Sequence, residues 1–178
     1  MATPQLQENN IYIALYVRND PHVPNNFHWA LYHHRSRFGG GVKYHIRNEG
    51  DGWMPGHESV AAIWKEFLLV GLFLIAEPPF GADYDVVDRI MRTFDHDLNT
   101  VGLTCRVWVR WVLEVMRQPV SDSASCPTVP PHIPIIRFDD VVALEAEAMA
   151  WGNEHAQSTI DNVQPRPVGA SKVSGCYN

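Results

Sequence analysis

With 178 residues, 46% of them hydrophobic, and with six Trp and seven Phe, the chain is of single-domain size and can bury one sizeable core. A formal net charge of −6 argues against a protein that holds nucleic acid or an anionic membrane mainly through counterion release. Cysteines at 105, 126 and 176 form an odd, widely spaced set, and the start MATPQLQENN lacks the basic and apolar segments of a signal peptide. The longest apolar run, Phe67 to Ala76, is about half of the ~20 residues a spanning helix needs, so a cytoplasmic protein without a membrane anchor is expected.

Residues 1–10 read as a flexible N-terminus, 11–157 as a single domain, and 158–178 as a flexible C-terminal tail. Ile11 to Val17 and Asn25 to Tyr32 are apolar, aromatic and β-branched, and flank a loop rich in Asn and Pro, which predicts two strands. Gly39, Gly40 and Gly41 lead into Val42, Tyr44 and Ile46 at alternate positions, so a third strand should form a hairpin with the second. After a loop over Asn48 to Gly56, Ser59 to Trp64 and Phe67 to Ala76 are read as two further strands. Asp83 can cap a helix carrying Val86, Val87, Ile90, Met91 and Phe94, ending around Asn99 to Gly102.

Thr104 is placed to cap the next helix, whose apolar face holds Cys105, Trp108, Val109, Val112, Leu113 and Met116, with Arg106, Arg110, Glu114 and Arg117 opposite. Ser121 to Pro134 reads as a loop, and Asp139 to Gln157 as an Ala- and Glu-rich helix. The fold class expected is α+β, a small antiparallel sheet or half-barrel packed against helices.

A thiolate is a strong nucleophile, and a helix N-terminus favours the anion through its aligned dipoles and unpaired N–H groups. Cys105 occupies such a position, which equally suits a buried core thiol. His28 falls in the middle of the second strand, on one face with Ala30 and Tyr32, while Trp29 and Leu31 take the other. His45 interrupts the third strand. It shares the face of His28 whenever paired residue numbers add to an odd value. One imidazole could then take the thiol proton and the other orient it.

The runs Phe27-His28-Trp29-Ala30-Leu31-Tyr32, Tyr44-His45-Ile46 and Thr104-Cys105-Arg106-Val107-Trp108-Val109 resemble, in that order, the circularly permuted branch of the papain-like NlpC-type superfamily, which includes the lecithin retinol acyltransferases. The chain also resembles small fungal proteins of similar pattern. The resemblance implies a permuted papain-like fold and acyl transfer or hydrolysis through a covalent thioester on an ester, amide or thioester. Cys105 would be the nucleophile, His28 the base and His45 its orienter. Thr104 stands where the membrane-active members have Asn, and the C-terminal segment is polar rather than a membrane anchor.

Arg106, Trp29, Tyr32 and Trp108 are the candidate substrate contacts, and no cofactor is needed. The partner expected is a small-molecule or peptide substrate, in a tailoring step of biosynthesis if the fungal resemblance holds. Nucleic acid enters only if an aminoacyl-tRNA is the donor. Two other classes stay open: a binding or scaffold protein with a silent Cys105, and a metal-dependent hydrolase using His33, His34 and His57 with His28 or His45. His33 and His34 face opposite ways along a strand. The Gly39-Gly40-Gly41 run suits a hairpin tip rather than a phosphate loop.

Overall fold

The β-branched and aromatic runs of the first half of the chain form strands, and the Ala-, Leu- and Glu-rich second half forms helices. The computed structural model describes residues 5–36, 38, 40–78, 84–119 and 134–176. Strands β1 (Ile11–Val17), β2 (Phe27–Ser36), β3 (Gly40–Tyr44), β4 (Ile46–Asn48), β5 (Trp53–Pro55), β6 (Glu58–Val60), β7 (Leu69–Ala76) and β8 (Val168–Ala170) accompany helices α1 (Tyr84–Met91), α2 (Cys105–Met116) and α3 (Val141–Ile160). Six strands make one sheet in the order β6-β3-β2-β1-β7-β8, antiparallel except for the parallel β7–β8 pair, and β4 and β5 form a separate ribbon. The architecture is mixed α+β.

Alternation gives this sheet two distinct faces. Ile11, Ile13, Leu15 and Val17 of β1 and Phe27, Trp29 and Leu31 of β2 join one buried cluster with Cys105, Trp108, Val109, Val112, Leu144 and Ala148 of α2 and α3. The even positions Tyr12, Ala14, Tyr16, Ala30 and Tyr32 belong to a second cluster with Leu6, Ile63 and Leu72. β7 is buried along its whole length and contributes to both, which explains its unbroken apolar run.

Several elements depart from the sequence expectation. The third strand stops at Tyr44, and the chain pairs again from Ile46 with β5, inside the stretch read as a loop. Strand pairing in Ser59 to Trp64 is confined to β6, followed by one turn of 3-10 helix at Ile63–Lys65. α1 ends at Met91 rather than near Asn99, and its expected cap Asp83 lies outside the described residues, as do Cys126 and most of the Ser- and Pro-rich segment.

α2 starts as read: the Thr104 hydroxyl accepts the Val107 N–H at 3.2 Å. α3 is capped by Asp140, which accepts from Val142 N–H, and runs on to Ile160.

The expected flexible tail is instead built into the fold. β8 adds to the edge of β7, and Arg166, only 1% exposed, donates to the carbonyls of Phe67, Ser158 and Val163, tying the end of α3 to the start of β7. Part of the expected flexible N-terminus also packs: Leu6 and Asn10 are buried, and Asn9 N–H donates to the His34 carbonyl.

Candidate functional site

The pairing of β2 with β3 sets Leu31 opposite Tyr44, one of the odd-valued registers that place His28 and His45 on a common face. His45 lies at the junction of β3 and β4, and its Nδ1 is 2.9 Å from His28 Nε2, with the rings nearly edge to face. Both imidazoles are half-buried. Burial, the neighbouring imidazole and the cations Arg18 and Lys43 bring His28 down to about 4. Burial and Lys43 bring His45 to about 4 as well, against the opposing pull of Glu58.

The tautomers follow from what surrounds the pair. Lys43 Nζ donates to Glu58 at 2.8 Å and holds that carboxyl below its usual range, so Glu58 is an acceptor only. Its Oε1 stands 4.0 Å from His45 Nε2, and the Gly56 backbone also stabilises a proton there. With N–H at Nε2, His45 Nδ1 accepts from His28 Nε2–H. The free lone pair of the dyad is therefore at His28 Nδ1, which has no partner among the described residues and is not among their buried unpaired atoms. Gly56 is required for this approach, because a Cβ there would sit 2.8 Å from His45 Nε2.

Around the dyad the face is polar. Lys43 Nζ also donates to Glu66 at 2.7 Å and lies over the Tyr16 ring, whose hydroxyl donates to Glu66. Tyr16 stacks obliquely beside His28, with ring centroids 6.0 Å apart. Sequence reasoning passed over Lys43, Glu58 and Glu66; a lysine between Val42 and Tyr44 in a strand, on the face of His45, was the available signal. Behind His45, its backbone N–H donates to His57 Nδ1, and His57 Nε2 donates to Asp95 at 2.8 Å. That link anchors the junction to the segment after α1.

Cys105 is elsewhere. It packs in the helix-side cluster with Phe27 and Trp29, whereas His28, one residue along, points to the opposite face with Tyr16. Among the described residues the thiol makes no hydrogen bond to an imidazole, so the three side chains expected to meet do not. Strand alternation is the reason: the helices cover the odd-numbered face.

Cys105 instead lines an open pocket of about 180 Å³ with Arg18, Asn25, Asn26, Phe27, Trp29, Thr104 and Arg106. Of the expected substrate contacts, Arg106 and Trp29 reach this pocket, Trp108 is sealed in the core, and Tyr32 lies on the far face. Arg106 and Arg110 both pair with Glu145 of α3, at 3.4 and 3.3 Å.

His33 and His34 do point opposite ways, to Asn9 and Tyr32 respectively. The described residues contain no group of three or more His, Cys, Asp or Glu side chains that could hold a metal ion. No described helix is long and apolar enough to cross a membrane. Comparison with known proteins finds no matching family model, no similar curated protein and no similar solved structure.

Proposed function

We propose that the chain hydrolyses, or transfers the acyl group of, an ester, amide or thioester, with His28 as general base and His45 as the residue that orients it. The observation carrying this reading is the 2.9 Å His28–His45 contact, in which both rings are neutral near pH 7 and the free lone pair faces outward. His28 Nδ1 would take a proton from water as its oxygen attacks the carbonyl carbon. The same proton then passes to the leaving oxygen, nitrogen or sulfur as that bond breaks. The chain order strand histidine, strand histidine, helix-start cysteine is that of the permuted papain-like superfamily, but with the thiol on the opposite face of the sheet water takes the nucleophile's part here.

A second reading, a thioester formed on Cys105, is favoured by the pocket in which Arg18 and Arg106 flank the thiol. Turnover of p-nitrophenyl acetate and of an acyl-N-acetylcysteamine thioester separates the two. His28→Ala should lower kcat/KM by about 100-fold or more, the usual range for a lost general base, and Cys105→Ala should leave it within about threefold. The reverse pattern would move the chemistry to Cys105. Equal rates in both variants and the parent would leave a binding protein.

A further inference from the structure

Four residues along β2 from His28, on the same face and about 13 Å away, the sheet opens into a second pocket. Its volume is about 200 Å³, and it is lined by Gln5, Leu6, Tyr32, His34, Gly40, Ala61, Ala62, Ile63 and Trp64. Leu6, Ala61, Ala62, Ile63 and the Trp64 indole give it apolar walls on one side, and Gln5, Tyr32 and His34 add polar groups. At its inner end two polar side chains meet, Tyr32 and His34, with the hydroxyl 3.2 Å from His34 Nδ1. Tyr32 is fully buried and His34 is 7% exposed.

Burial raises the Tyr32 hydroxyl, which stays protonated, and lowers His34, with Glu8 partly opposing the effect. With the Tyr32 O–H donating to His34 Nδ1, the neutral ring carries its proton on Nε2. Among the described residues that N–H has no partner and is not among the buried unpaired atoms, which leaves it for a ligand. Among the described residues no Asp, Glu, Lys or Arg lines the space, so a charged ligand would find no counter-charge there. A cavity of ~150 Å³ takes a benzene ring. This one accepts a single ring with a small substituent.

We propose that this pocket is a binding site for a small, uncharged aromatic molecule bearing one hydroxyl or carbonyl, its ring against Trp64 and Ile63 and its oxygen on His34 Nε2–H. The site is separate from the His28–His45 dyad. Its occupant does not reach that dyad.

Phenol is the probe, with benzoate and benzene as its charged and oxygen-free counterparts, followed on the full chain by ligand-observed NMR titration. Phenol should bind at least tenfold more tightly than either. Ala62→Leu, which fills the mouth, and Tyr32→Phe, which releases the His34 tautomer, should each weaken phenol at least tenfold, while His28→Ala should leave it unchanged. Thermal melts identify any variant that has lost its fold, and the ligand comparison on the parent chain needs none of them. Absence of phenol binding, equal affinity for benzoate, or phenol binding untouched in folded Ala62→Leu and Tyr32→Phe would overturn the assignment.

Discussion

The two faces of the sheet are built from adjacent residues and do opposite work. On the helix side, Trp29 and Leu31 join Trp108, Val109 and Val112 in a buried apolar layer. One residue along the same strand, His28 belongs to a layer of imidazoles, a lysine, two glutamates and a tyrosine linked by hydrogen bonds and ion pairs. Apolar packing returns free energy for every ordered side chain, whereas a buried polar network roughly balances its own desolvation. The helix side therefore carries the fold. The polar side is free to carry chemistry.

The sharpest way to break this division is to empty the packed layer. Trp108→Ala should cost about 3–5 kcal/mol in urea unfolding, whereas His28→Ala should cost less than about 1 kcal/mol. Similar losses in both would put structural load on the polar face and deny the contrast.

Acid should then reveal the polar face. His28 and His45 titrate at about 4 in the folded chain against an ordinary 6.5, and His33 at about 3. Between these values the unfolded chain binds more protons than the folded one. Stability is thus complete above pH 6.5 and falls as pH drops through about 4, with His33 extending the loss to about 3. Urea midpoints measured from pH 7 to pH 4 should fall less steeply in the His28→Gln, His45→Gln double variant than in the parent. An unchanged slope would mean that neither ring is held neutral. For the proposed reaction, kcat/KM should rise through about pH 4 and be level by neutrality rather than climbing near 6.5.

The smallest effect belongs to the start of α2. Thr104→Ala removes the hydroxyl that accepts the Val107 N–H and should cost about 1 kcal/mol, with the reactivity of Cys105 toward iodoacetamide as a second readout. If activity on esters follows that thiol reactivity, the dividing line between the faces has been drawn in the wrong place.

Much of this was legible in the chain. β1, β2, α2 and the Thr104 cap follow from local periodicity and local chemistry, and the odd-valued register of the second hairpin was among those foreseen. The side of the sheet on which α2 would lie was not read, although a signal existed: Trp29 and Leu31 make a more apolar face than His28, Ala30 and Tyr32, so the helices and Cys105 belong with Trp29. Lys43, Glu58 and Glu66 were missed because their partnership is formed between separate strands and a turn. β8 was missed because three residues carry no period. Its place depends on the open edge of β7 and on Arg166, both distant in the chain.

That last strand has a consequence for how the protein is made. β7 is an eight-residue apolar run with no charge and no proline, and β8 is the strand that pairs with one of its edges. On a ribosome, β7 emerges long before its cover. Until Val168 to Ala170 arrive, the nascent sheet presents an open template for pairing with another chain. A polypeptide cut short before β8 would keep most of the packed layer and leave that edge of β7 without its partner strand.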